Sequence, residues 1–495
     1  MRDALPRFHV VPTAVGFCML IKRSIISNFG LFDEIYGRGY NEENDFCCRL
    51  NRLGYSVVAC NRAYVFHFES ASFTQRDKQA LERRNRDILC TRYPEYPSAV
   101  SSYIRWEMDP RDHFADLLGG CYARKRILYD LSRLIPLYNG TTEYALSLLS
   151  ALAPMLRSTY DLFISINSKA DSAFHISARY PNVIVNDTFT VSQHFDIAFT
   201  PYQIFEYENL FMLNRVALRY IINILDMISV RSFYLRQKDT AAIFKTAIQY
   251  ANGLLSISRT SLNDALSYFI LDSTNISQLR SSILLTKDLN SIIYNRTPSD
   301  IEKSISDSLP SNYILIVGNH YHHKVVHLCA DSIGPEWPVV ILGIKPTSDD
   351  DDINRLVYIQ TGNLSEQAVQ HIYQHARIII FPSLYEGFGF PTLEAALYSR
   401  PLVLFNSDVN HEIVDAFNLQ DNTFFFNTFR ELPSILTEIN SLDTTHASRI
   451  SRTWADVARE TFSFIEAVLS VPVDLKNLTD RYTHITNLEL HDTQW

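Results

Sequence analysis

Over most of the chain, short apolar runs alternate with longer stretches whose apolar residues recur at helical spacing. Runs at 126–130, in DLFISINS, FDIAFTP, RYIINILDMIS and GLLSIS predict one set of strands. Runs at 313–317, in VVILGI and RLVYIQTG, and at 377–381 and 401–405 predict a second set. Helical stretches such as Tyr144–Leu156 and Ser365–Ala376 lie between them. Strand–helix alternation of this kind predicts parallel sheets covered by helices on both faces. The first 75 residues read differently. VGFCMLIKR (Val15–Arg23) predicts a buried strand, and Tyr55–Cys60 and Ala63–Phe68 predict two short ones. Asn41–Leu53 predicts a helix closed by Gly54, with acids in its first turn, where the helix dipole favours them. From Thr74 to Lys125 the chain opens with a charged helix that Pro94 and Pro97 break. That segment predicts a helical linker with solvated charges, docking to anionic lipid being the minor alternative.

Composition narrows the classes. The chain has 495 residues, room for two or three domains. A hydrophobic content of 46% and an aromatic content of 12% argue against wholesale disorder. A net charge of −9 argues against general nucleic-acid binding, which rests on Lys and Arg neutralising phosphates. The seven cysteines (18, 47, 48, 60, 90, 121 and 329) are scattered and contain no C-x-x-C pair. They suggest reduced thiols in a cytosol. No apolar run reaches the ~18 residues that cross a bilayer, and the start, MRDALPRFHVVPT, lacks an apolar signal core. The expectation is a cytoplasmic chain, soluble or held peripherally on the cytoplasmic face of the inner membrane.

The densest chemistry lies in Phe381–Ala396, FPSLYEGFGFPTLEAA, where seven residues separate Glu386 from Glu394. A strand enters the turn, Gly387 and Gly389 shape it, and Pro391 suits a first helical position. Strand, glycine turn and helix start present backbone N–H groups and the positive end of a helix to phosphate. Glu394, one turn inside, is placed to take both hydroxyls of a ribose. Glu386 would face the sugar beyond the phosphates. The simpler reading is two solvated helix-end acids.

This stretch resembles the E-x7-E signature of the retaining group-1 (family 4) glycosyltransferases, including Ser383, the EGFG turn, Pro391, Ala395 and Ala396. The resemblance covers about 126–470. It implies a GT-B fold, two Rossmann-like domains with an interdomain cleft, the acceptor domain at 126–305 and the nucleotide-sugar domain at 306–475. Residues 476–495 are a tail with no functional signal. RTWADVARETFSFI is similar to the family's closing helix, which crosses back to the first domain. The loop with Gly140, Thr141 and Thr142 is similar to one that faces the donor phosphates and acceptor. Gly318 ends a strand, and Lys324 stands where the family carries a lysine that neutralises the departing diphosphate. Asn319 replaces the usual Arg beside it. INILDMISV carries Leu225–Asp226 where many relatives have His-Asp, so the histidine's role does not transfer. Asp226 would orient acceptor or sugar, or be a buried, capped aspartate. Ser258, Ser261 and Asp264 frame a helix start, for which capping is the simpler account. Asn406–His411 should form a loop at the cleft rim. His320, His322 and His323 crowd one loop, read as polar surface and not as a metal site.

The first 75 residues are similar to the back half of a family 2 glycosyltransferase, a partial GT-A-like α/β module. Glu42 and Glu43, with Asp45, stand at that family's acceptor-activating acids, and His67 at a metal-ligating histidine of some members. The half that would hold the nucleotide is lacking, so the module is expected to be catalytically silent, with an exposed apolar face.

The implied reaction moves a hexose from a nucleotide diphosphate sugar to a hydroxyl of a glycan or lipid-linked acceptor. Anomeric configuration is retained, no metal or other cofactor takes part, and surface polysaccharide synthesis is the implied setting. Glu386, Lys324 and Asp226 are the candidate catalytic residues. Glu394, Gly318, Asn319, Gly387, Phe388, Gly389, Phe390 and Gly140 are the candidate donor-binding residues. The alternative is a noncatalytic sugar-binding or scaffold protein descended from a fused glycosyltransferase.

Overall fold

The computed structural model describes residues 7–492 except 38, 64, 67–74, 105–108, 121, 138, 186–192, 237–238, 270–279, 283–308, 345–354, 361–363, 365 and 442–451. His67 and the expected 305/306 domain boundary lie outside the described residues. The chain divides into two compact units, Met1–Cys121 with Asp474–Trp495, and Tyr122–Val473.

In the first unit, β1 (Phe8–Val11) pairs antiparallel with β2 (Val57–Cys60). The helix Glu42–Arg52 buries Asp45, Phe46, Cys47, Cys48 and Leu50 on one side, as its spacing predicts. The strand expected over Val15–Arg23 is not formed. That segment holds a 3-10 turn at Gly16–Cys18, and a helix, Arg23–Phe29, begins at its end. Among the described residues the run has no ladder to join, and Val15, Phe17 and Leu20 stay exposed. Nor do residues 63, 65 and 66 form the strand expected there.

The segment expected to be a linker is instead part of this unit. Its helices span Gln75–Arg92, Tyr96–Tyr103 and Asp109–Gly119, with Pro94 in the break between the first two. Asn85 is fully buried and its amide reaches the carbonyls of Tyr36, Gly39 and Tyr40 at 2.8, 2.8 and 3.0 Å. Leu89 and Tyr93 share a small core with Tyr36 and Cys48. The tail also folds, as the helix Leu475–Asp492, with Tyr482 packed 4.8 Å from the Phe114 ring.

The second unit holds two parallel sheets. The first consists of β3 (Arg126–Leu131), β4 (Asp161–Ile166), β5 (Val183–Val185), β6 (Ile197–Thr200), β7 (Tyr220–Ile224), β8 (Gly253–Ser256) and β9 (Arg280–Ser282). Its order is β5-β4-β3-β6-β7-β8-β9. The second consists of β10 (Ile314–Val317), β11 (Val339–Leu342), β12 (Leu356–Ile359), β13 (Ile378–Phe381), β14 (Leu402–Phe405) and β15 (Thr423–Phe426), ordered β12-β11-β10-β13-β14-β15. Central strands such as IIIF of β13 are buried throughout because helices cover both faces. In each sheet the strand order reverses beside the first strand, between β3 and β6 and between β10 and β13. Crevices open there, outside the carboxyl ends of the strands.

The helix Gly140–Thr159 follows β3, and Asn139 caps it by accepting from the Thr142 amide at 2.9 Å. The helix Trp454–Ser470 follows the second sheet yet packs on this first-domain helix, with Trp454 5.9 Å from the Tyr144 ring. The loop expected over Asn406–His411 is shorter than predicted. Ser407 sits at an N-cap position and a helix, Asp408–Ala416, starts at once. Asn410 faces inward on it and donates to the Phe405 carbonyl at 2.8 Å, which holds the turn tight.

Candidate functional site

The loop leaving β13 is shaped by its own hydrogen bonds and glycines. Ser383 donates to the Tyr385 carbonyl at 3.0 Å. At Gly387 an added Cβ would lie 1.9 Å from the Leu225 carbonyl oxygen, so only glycine allows the loop to pass that strand end. The Gly387 carbonyl accepts from the Ser258 and Ser261 hydroxyls at 2.6 and 3.1 Å. Gly389 has φ +86 and turns the chain into the helix Phe390–Leu397, with Pro391 in its first turn.

Across this loop stands the 3-10 turn His322–Lys324, tied to it by the Leu384 amide donating to the His323 carbonyl at 2.9 Å. Lys324 pairs with Glu386, and their side chains are 14% and 13% exposed. The Lys324 ammonium also lies 5.4 Å from the Phe381 ring centroid. Burial, with Lys324 adjoining, depresses the His323 imidazole to about 4, so at neutral pH it is uncharged. Its Nδ1 lies 3.1 Å from the Tyr234 hydroxyl.

The facing wall comes from the first sheet. Asp226 follows β7, accepts from the Ile228 amide at 2.8 Å, and its carbonyl accepts from Gln203 at 2.7 Å. Burial raises its carboxyl above the ordinary range; Glu386 adds to the rise while the Ile228 amide and Lys324 oppose it. Gly140 lies opposite Phe390, whose ring carbon is 3.7 Å from where a Cβ would be. Glu394 stands behind the turn beside Tyr373, whose hydroxyl is pushed far up by burial and by its hydrogen bond to Glu394.

These groups surround one cavity of about 1090 Å3 between the two sheets of the second unit. All eleven candidate residues line it: Glu386, Lys324, Asp226, Glu394, Gly318, Asn319, Gly387, Phe388, Gly389, Phe390 and Gly140. A second cavity, about 950 Å3, lies past Tyr385 between the helices Arg259–Phe269 and Asp408–Ala416. Between those helices, Glu412 accepts from the Arg259 and Thr260 amides at 2.6 and 2.8 Å and from the Thr260 hydroxyl at 2.7 Å. Ser258 accepts from the Ser261 amide at 3.0 Å, the cap its position suggested, and also bridges to Gly387. Among the described residues, no three or more His, Cys, Asp or Glu side chains are grouped to hold a metal, and no helix is long and apolar enough to cross a membrane.

In the first unit, Asp45 is buried and accepts from the Tyr36 hydroxyl at 2.9 Å and from Arg92 at 3.1 Å. Burial raises the Glu43 carboxyl above its ordinary range. Asp45 is therefore committed to holding the module together.

Residues 311–429 match the family model described as glycosyl transferases group 1. The likeness to this family is confined to that segment. It carries β10 to β15 with Lys324, Glu386 and Glu394. No curated protein matches the chain. Among solved structures, Anabaena HepE in complex with UDP and glucose is 15% identical, with a TM-score of 0.50, covering 70% of this chain and 100% of its own. A Rickettsia africae glycosyltransferase is 14% identical, with a TM-score of 0.45 and coverage of 74% and 99%. Sucrose-phosphate synthase of Thermosynechococcus elongatus is 13% identical, with a TM-score of 0.44 and coverage of 75% and 97%. The chain has the GT-B fold: two doubly wound parallel sheets, the matched segment carrying the second, with the cavity between them.

Proposed function

We propose that this protein is a retaining glycosyltransferase that moves a hexose from a nucleotide diphosphate sugar to a hydroxyl of a glycan or lipid-linked acceptor. The observation that carries the reading is the convergence of four distant segments, at Gly140, Asp226, Gly318–Lys324 and Glu386–Glu394, on one cavity. Lys324 neutralises the diphosphate as negative charge develops on it, an interaction that strengthens in the transition state. Glu394 holds the ribose and Glu386 the sugar hydroxyls. The amides of Gly387–Phe390 and Gly140 approach phosphate or sugar, and Asp226 orients the acceptor or the transferred sugar. Lys324 and Glu386 pair with each other at the cavity wall. A bound donor replaces both partners at once, phosphate for the lysine and hydroxyls for the glutamate.

Bacterial surface polysaccharide synthesis at the cytoplasmic membrane face fits this reaction. The test is a panel of UDP-, GDP- and dTDP-sugars, with and without membrane extracts as acceptor, scored for donor consumption and for the anomeric configuration of the product. One donor consumed with retention is the expected result. A noncatalytic sugar-binding role draws support from Leu225, buried where the resembling enzymes carry histidine. Calorimetric binding of a nucleotide sugar with no consumption of it would favour that second reading.

A further inference from the structure

The candidate acids Asp226 and Glu386 come from different sheets, and productive chemistry needs them in fixed mutual register. Neither touches the other through a hydrogen bond. Each is, however, next in the chain to one end of the same bond, in which the Met227 amide donates to the Tyr385 hydroxyl at 3.1 Å. That hydroxyl donates onward to Asp264 at 2.5 Å. Asp264 in turn accepts from Arg231 at 2.6 Å. The Arg231 guanidinium also lies 5.7 Å from the Tyr385 ring centroid. Met227 is fully buried, so its amide has no water to fall back on.

We infer that Tyr385 is a positioning residue, a strut across the cleft that locks Glu386 of the second domain against Asp226 of the first. Asp264 and Arg231 aim its hydroxyl. The inference rests on the transferase reading and adds to it a residue whose hydroxyl is taken by the Met227 amide and Asp264. Tyr385, like Glu386, lines both cavities. The nucleotide half of the donor is gripped elsewhere, by Glu394 and the Gly387–Phe390 amides. Loss of the strut should therefore leave donor capture intact and misplace the reacting end.

The experiment compares wild type with Tyr385→Phe on a consumed donor, together with hydrogen exchange of the peptide that contains Met227. The expected result is a fall in kcat of about 100-fold while donor KM moves by less than about threefold. The Met227 amide should exchange at least about tenfold faster. Asp264→Asn keeps the ring and weakens the aim of the hydroxyl. It should give a smaller kcat loss that adds nothing when combined with Tyr385→Phe, and it replaces Tyr385→Phe if that variant does not fold. A Tyr385→Phe enzyme with kcat within about twofold of wild type, or unaltered Met227 exchange, overturns the strut. Wild type that consumes no donor at all sinks the transferase reading instead, and the exchange measurement still decides whether the strut exists.

Discussion

Two acidic helix starts in this molecule can be set side by side. At the helix Glu42–Arg52, Asp45 is buried and its carboxylate is taken by Tyr36 and Arg92, with Arg92 also held by Asp33 at 2.7 Å. At the turn before the helix Phe390–Leu397, Glu386 has Lys324 as its partner and lines a large cavity. The first segment carries its acids within one helical turn, at Glu42, Glu43 and Asp45, and the second has seven residues between Glu386 and Glu394. What separates them is whether the carboxylate's hydrogen-bonding capacity is consumed by the fold or left exchangeable at a cavity. The first arrangement makes an acid a structural tie, and the second makes it available to a ligand.

Exchanging the roles by mutation is the sharpest way to break this contrast. Glu386→Gln, which keeps a polar partner for Lys324, should cut donor turnover by about 100-fold or more with little change in melting temperature, measured by donor consumption and a thermal scan. Asp45→Ala should do the reverse. It leaves the buried Tyr36 hydroxyl unpaired and should cost about 2–3 kcal/mol in denaturant unfolding, with donor turnover unchanged. If Asp45→Ala abolished turnover, the contrast would be wrong.

Smaller effects refine it. Glu412 bridges the two domains through three hydrogen bonds to one helix start. Glu412→Ala should loosen that contact by about 1–2 kcal/mol, read as faster exchange of the Arg259 and Thr260 amides. His323 sets the smallest effect. Its folded value, about 4, lies below its ordinary 6.5, so the unfolded chain binds a proton first as pH falls. Stability should be lost between pH 6.5 and about 4, and His323→Gln should flatten that part of the stability curve.

Much of the second unit was legible because periodicity reports burial directly. Apolar runs that no solvated strand would carry, such as IIIF and YIINI, account for every strand of the two parallel sheets except β5, β9 and β15. The cavity's lining followed from glycine turns at strand ends. Other features were not legible, for a common reason: they depend on partners remote in the chain. Tyr385 meets Asp264 across 121 residues and Glu412 meets Thr260 across 152. Tyr385 adjoins Glu386, and Asp264 lies in the middle of the helix Arg259–Phe269, but nothing local pairs them. The run Val15–Arg23 misled because apolar composition cannot tell a strand from a segment that lacks a ladder to join. The helix Gln75–Arg92 misled in the opposite sense, since its charges hid Asn85, Leu89 and Arg92, which tie it to the module.

The proposed function turns on Lys324 facing the diphosphate of a nucleotide sugar in this cavity. The direct measurement is consumption of the best donor of the panel by wild type and by Lys324→Ala, with folding checked by thermal melting. The account predicts a folded variant whose kcat/KM falls about 100-fold or more. A folded Lys324→Ala protein that consumes donor as fast as wild type would contradict it.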